Sequence, residues 1–182
     1  MVLRIHTVGH STKAADEFVS LLEVHGVWQV ADIRTVPRSR RHPHFSREAM
    51  AEWLPARGIA YLHVAALGGL RRARVDSPNG GWRHPSFRGY ADYMQTAAFV
   101  EGLEALMAYA ARAPTAVMCA EAVWWRCHRQ LVADALLVRG VEVWHLLTPA
   151  RAEPHRLTPF ARVVGGLLCY PGPPDGVTTD VT

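Results

Sequence analysis

Apolar positions along the chain fall into short continuous runs separated by segments with helical spacing, and the two alternate. Residues 4–8, RIHTV, read as a short strand, followed by the turn GHST and a helix over about 14–25 in which Phe18, Leu21, Leu22 and His25 share one face and Gly26 is the stop. WQVADIR, 28–34, is a second strand. An arginine-rich loop leads to a helix near 46–57, opened by Ser46 and stopped by Gly58, and IAYLHV, 59–64, is a third strand. Residues 65–85, with LGGL, RRAR and SPNGGWRHP, form a loop long enough to mark a functional or mobile segment. Two helices follow, over about 86–94 and 97–112. TAVMCAE is a fourth strand, RCHRQLVADALLVRG a helix with Cys127, Leu131, Ala135 and Leu136 on one side, and VEVWHLL a fifth strand.

Strands alternating with helices at this spacing call for a parallel sheet, because parallel neighbours need crossover connections. The predicted fold is one α/β domain over residues 1–170, a mostly parallel sheet with helices on both faces (doubly wound), with a distorted barrel as the lesser option. ARVVGGLLCY, 161–170, reads as a small C-terminal hairpin around Gly165 and Gly166, and 171–182 as a flexible tail.

A chain of 182 residues with 49% apolar composition is the size of one domain with one core. The N-terminus has no basic region followed by an apolar stretch, and no run approaches the roughly 18 apolar residues that span a bilayer, so a cytoplasmic protein without a membrane partner is expected. Three cysteines do not make a disulfide framework, and the cytosol keeps them as thiols unless they are catalytic or metal-bound. Of the 20 basic residues only Lys13 is lysine, and the formal charge is +4. Guanidinium groups offer bidentate donors to phosphate and carboxylate, so an anionic small molecule or a nucleic acid is the expected partner, although a coding bias towards arginine explains the total equally well.

In an open parallel sheet the ligand crevice lies beyond the carboxyl ends of the strands. His10 and Ser11 follow the first strand, Asp32 and Arg34 close the second, His63 the third, and Cys119 and Glu121 leave the fourth. The densest cluster is CAEAVWWRCHR, 119–129. Cys119 and Glu121 are two apart on an extended segment and point the same way, while Cys127, His128 and Arg129 fall in the first turn of the next helix, where the dipole favours an anion or thiolate.

Several chemistries fit this cluster. Cys119 is a candidate nucleophile, with His128 or His10 as base, Glu121 as proton-transfer group and Arg126 or Arg129 as anion holders. Six residues separate Cys119 from Arg126, one more than in the loops of cysteine phosphatases and rhodaneses. Cys119, Glu121, Cys127 and His128 are a fallback ligand set for zinc or iron, the two thiols are a candidate redox pair, and Cys127 alone reads equally well as a space-filling core residue.

DIRTVPRSRRHPHFSR has no acidic residue between Asp32 and Glu48, so Ser39 and Arg40 join Arg34 as candidate anion-binding groups, with an Asp32–Arg34 bridge as the plainer reading. Ser11 or Thr12 reads as the cap of the first helix, and Gly9 as a tight turn. Gly68 and Gly69 fit either a close approach to ligand or a plain turn. Trp82, Phe87, Tyr90 and Tyr93 are candidates to stack on a base or sugar, though such spacing also suits a core.

Read together, GHS at 9–11, DIR followed by P and SRR at 32–41, LGG at 67–69, FRGYADYM at 87–94, and CAE with CHR at 119–129 resemble the domain-of-unknown-function family 488 (DUF 488), with Ile33 in place of that family's usual valine. The resemblance covers about residues 5–170 and implies a single α/β domain with the motif residues in one site. It brings no reaction. From the residues themselves, the leading expectation is a cysteine-dependent enzyme acting on a phosphate-bearing substrate, with a nucleic-acid-binding module or a thiol-based metal or redox sensor as alternatives.

Overall fold

The computed structural model describes residues 2–173, so the tail beyond 173 lies outside the described residues. Five parallel strands form the sheet: β1 (Arg4–Gly9), β2 (Gln29–Asp32), β3 (Ala60–His63), β4 (Thr115–Cys119) and β5 (Glu142–Thr148), in the order β3-β2-β4-β1-β5. An antiparallel strand, β6 (Arg151–Pro154), extends the β5 edge. Its sequence, RAEP, has no strand-like alternation, and Pro154 is tolerated there because an edge needs fewer ladder donors.

Alternate residues of each strand face opposite layers. Val8, Val30, Ala116, Met118 and Leu146 pack with Phe18, Leu21 and Leu22 of α1 (Ala15–Val24) and Met50 and Leu54 of α2 (Arg47–Ala56). Ile5, Ala31, Val117 and Val143 meet the other layer: Tyr90 of α3 (Pro85–Tyr93), Phe99, Leu103 and Leu106 of α4 (Ala97–Ala110), and Leu131 and Leu136 of α5 (Arg129–Val138). The fold is thus the doubly wound layer, not the barrel. Residues 161–170 carry the hairpin, β7 (Arg162–Val164) with β8 (Leu167–Cys169), its turn made by Gly165 and Gly166 at positive φ. No helix among the described residues is long and apolar enough to cross a membrane.

Two local expectations are corrected. Neither Ser11 nor Thr12 caps α1; the cap position is Ala14, whose N–H donates to Glu17, and Ser11 instead takes a left-handed turn at φ 48°. Helix α5 begins only at Arg129: Trp124–Arg126 form a separate 3-10 turn, Cys127 is extended at φ −135°, and His128 is the cap. The long 65–85 loop is tied down, since the buried Asp92 accepts from the Arg74 N–H, the Ser77 hydroxyl and the Asn79 amide, and Asn79 in turn accepts from the Tyr170 N–H.

The adjacent strands β1 and β4 lead to helices on opposite faces, α1 with one layer and α5 with the other. Connections that part in this way leave a crevice at the sheet's carboxyl edge.

Candidate active site

That crevice holds a hollow of about 320 Å³ lined by His10, Arg34, Arg38, Ser39, Gly69, Cys119, Glu121, Cys127 and His128, with Thr35, Val36, Leu70 and Ala120. Four separate connections of the sheet therefore meet around one space. Ser11 and Arg40 line an adjoining shallow surface with Arg41.

The close approach of β1 to the loop after β4 requires glycine. A Cβ built on Gly9 would lie 1.8 Å from the Glu121 carbonyl oxygen, so Gly9 serves proximity and not a left-handed turn. His10 and Ser11 N–H groups donate to the carbonyls of Cys119 and Ala120, and the Arg129 guanidinium donates to those of Glu121 and Ala122. In a planar trans peptide the next N–H points opposite to each carbonyl. The N–H groups of Glu121, Ala122 and Val123 are thus turned away from the interior, and among the described residues none has a protein acceptor.

Arg129 was expected to hold an anion directly, and the structure corrects this: it is 1% exposed, under the loop and outside the hollow's lining. Among the described residues it has no carboxylate partner, and its Nε is unpaired. A buried cation without a counterion stabilises whatever negative charge lies nearest, which here is sulfur.

Cys119 Sγ lies 2.7 Å from Cys127 Sγ, and Cys127 Sγ lies 3.5 Å from His128 Nδ1. His128 Nε2 is 3.0 Å from the Ile33 carbonyl, which only accepts, so Nε2 carries a proton and Nδ1 is left to take the Cys127 proton and donate it back to the thiolate. Burial pushes the Cys119 thiol well above the usual thiol range. The Cys119 thiol donating to its sulfur, aided by His128 and Arg129 against the effect of burial, holds Cys127 well below it. These surroundings favour negative charge on Cys127 over Cys119, the residue expected as nucleophile. His128 serves Cys127, and His10 serves neither cysteine. Its Nδ1 donates to the Ser11 carbonyl and its Nε2 accepts from Arg34 Nη1.

Asp32 and Arg34 are a bidentate ion pair, Nη2 to Oδ2 at 2.7 Å and Nε to Oδ1 at 2.9 Å, so the plainer reading holds for Arg34 while its Nη1 fixes His10. Tyr61, which sequence reasoning missed, donates to Asp32, and His63 contacts the Arg34 carbonyl through Nε2. The exposed Arg38, Arg40, Arg41 and Arg47 pair with no carboxylate among the described residues. Glu121 is exposed, and among the described residues no three His, Cys, Asp or Glu side chains, the set Cys119, Glu121, Cys127 and His128 included, converge closely enough to share a metal ion.

Gly68 has no room for a side chain beside Thr35, whose hydroxyl donates to the Gly69 carbonyl. At Gly69 a Cβ would sit 3.1 Å from His128 Nδ1. Gly69→Ala should therefore displace the imidazole and slow alkylation of Cys127 several-fold, while costing less than about 1 kcal/mol of stability in denaturant titration.

Buried histidines give the fold a pH limit. Burial lowers His10 to about 4 and His145 to about 3, from an ordinary 6.5. His145 is locked in a chain from Thr7 through His155 to Asp134. Between pH 6.5 and these values the unfolded chain binds protons that the folded one refuses, so stability falls as pH falls through that window and is flat in these groups above it. Urea midpoints at about pH 7 and about pH 5 should show the loss, with a smaller difference in His145→Asn.

A family model described as Domain of unknown function DUF488 matches residues 14–136. The chain belongs to the DUF488 family. No curated protein and no solved structure matched it in the parallel comparisons. The family segment takes in β2, β3, β4, the arginine loop and most of α5, so Asp32, Arg34, Cys119, Cys127 and His128 all belong to it, whereas β1 with Gly9 and His10 precedes it.

Proposed function

We propose that the protein is a cysteine-dependent enzyme of thiol–disulfide exchange, acting on an anionic substrate that carries an oxidised sulfur. The observation that carries this reading is the contact of two free thiols, Cys119 and Cys127, beside the His128 lone pair on the floor of an open hollow. A lone nucleophile needs no second sulfur, whereas a dithiol pair does. The unpaired Arg38 in the lining of the hollow, with the exposed Arg40 and Arg41 beside it, supplies the attraction for an anion.

In the forward direction the Cys127 thiolate attacks one sulfur of a substrate disulfide, the substrate S–S bond breaks, and one substrate thiolate departs. Cys119 then loses its proton to that leaving thiolate or to His128 and attacks Cys127 Sγ. The mixed disulfide breaks, an intramolecular Cys119–Cys127 disulfide forms, and the second substrate thiol is released. The protein gives up two electrons and the substrate gains them; an external thiol reductant returns the pair to the dithiol.

The test uses dithiobis-nitrobenzoate, a dianionic aromatic disulfide, on reduced protein in a Cys169→Ser background. The expected result is two equivalents of nitrothiophenolate per chain and no retained adduct, one equivalent with a stable adduct in Cys119→Ser, and slow release in Cys127→Ser. A stable mixed disulfide on the protein with both cysteines present would overturn the dithiol reading. A cationic disulfide of similar size should react more slowly; equal rates would remove the anionic preference.

A further inference from the structure

The hollow over the thiols has a neighbour. A second cavity of about 450 Å³ shares Gly69, Leu70, Glu121, Cys127 and His128 with it and extends between α3 and the 3-10 turn before Cys127. The two spaces are lobes of one site whose waist is Cys127 and His128. Their linings differ in chemistry. The first lobe carries Arg34, Arg38 and Ser39. The second is walled by Phe87, Tyr90, Trp125 and Leu70, with Ser86 and His84 among the polar groups that line it.

Two large apolar side chains that line the second lobe stand in solvent. Trp125 is 52% exposed and Leu70 85% exposed, both at its mouth. Leu70 also holds φ 59°, a left-handed backbone that a leucine adopts only at a cost. Flat indole and phenyl faces with a few polar groups suit a planar ring bearing heteroatoms better than an aliphatic chain, which would leave those polar groups unpaired.

We infer that the second lobe binds a nucleobase, so that the substrate is a nucleotide-like molecule with its ring between Trp125 and Phe87, its phosphate in the arginine lobe and its reacting sulfur at the waist. This rests on the thiol reading for the reacting atom only; the ring site stands on the geometry of the second lobe. The shared chemistry is that of a nucleotide, and its source is either a free nucleotide or a single strand of nucleic acid, since the unpaired Arg40 and Arg41 continue the positive surface past the pocket on the adjoining shallow face.

Binding separates this inference from the redox reading, because it needs no reaction. Calorimetric titration of the reduced protein with adenosine monophosphate, ribose phosphate and adenosine should give tightest binding for the first. Trp125→Ala should weaken adenosine monophosphate at least tenfold and leave ribose phosphate unchanged, whereas Arg38→Ala should weaken both. Saturation-transfer NMR should place the adenine protons against aromatic side chains, a readout that does not depend on the Trp125 variant being well behaved. A short single-stranded oligonucleotide that binds more tightly than the mononucleotide, with steep salt dependence, identifies a polynucleotide source; equal affinity identifies a free nucleotide. Equal affinity for ribose phosphate and adenosine monophosphate, or no binding of either, would overturn the ring site. The variants Cys119→Ser and Cys127→Ser should still bind, and a wild-type protein that binds the nucleotide but carries out no disulfide exchange would sink the redox reading alone.

Discussion

Iodoacetamide at neutral pH should modify Cys127 first and fast, and Cys119 only after Cys127 has been removed or the chain unfolded. The order follows from the two sulfurs having opposite surroundings at the same depth. Cys127 has the Cys119 thiol and His128 Nδ1, which can take its proton and donate back, as neighbours, while Cys119 has Cys127 and the Glu121 carbonyl. Alkylation needs the thiolate, so the residue held below the usual thiol range reacts and the one pushed above it waits. Cys119→Ala removes a hydrogen bond to a charged acceptor, worth about 1.5–3 kcal/mol, and should slow modification of Cys127 by roughly an order of magnitude. Peptide mapping of the labelled protein checks the order, and the pH profile of the rate checks the cause: it should move to higher pH in Cys119→Ala. Preferential labelling of Cys119 would reverse the assignment of roles.

The largest effect on stability is expected at Asp32. Its carboxylate is fully buried and accepts from the Arg34 backbone N–H, Nε and Nη2 and from the Tyr61 hydroxyl. Asp32→Ala leaves the Arg34 guanidinium, 7% exposed, without a counter-charge, and breaking one side of a buried pair costs about 3–5 kcal/mol. Asp32→Asn keeps part of the hydrogen bonding and should cost less. The double variant Asp32→Ala with Arg34→Met should recover part of the loss, because it removes the stranded charge along with its partner. Urea denaturation of wild type, Asp32→Ala, Arg34→Met and the double variant measures the coupling; additive losses would mean that the two side chains do not act as a pair. His10 depends on the same arrangement, since Arg34 Nη1 is the donor to its Nε2.

The alternation of apolar runs and amphipathic segments was enough to read the layered sheet, because periodicity is written locally at each strand and helix. The convergence of His10, Arg34, Cys119, Glu121 and His128 on one hollow was also legible, since a parallel sheet delivers every strand's carboxyl end to the same edge. What the sequence could not separate was the two cysteines. That depends on whether Cys127 is helical or extended, and a shift of three residues in the start of α5 decides it. The burial of Arg129 was hidden for the same reason: at the first position of α5 it reaches beneath the loop to the Glu121 carbonyl, while Arg126, in the 3-10 turn, stays exposed on the second lobe. Tyr61 and Thr35 left no signal, because their roles are single hydrogen bonds across elements, to Asp32 and to the Gly69 carbonyl. The second lobe had a partial one: Phe87 and Tyr90 belong to it, but Trp82 stacks on Phe87 and meets Phe160 and Tyr170 instead.

The contact between Gly9 and the Glu121 carbonyl has a bearing on how such a site can work. Strand β1 and the turn carrying the sulfur chemistry are interlocked without a side chain's width between them, so the turn has no slack in which to swing. Selectivity must then be exercised like that of a mould, by the form of what arrives, and a bulkier residue at that glycine would spoil the cast before it disturbed the sheet.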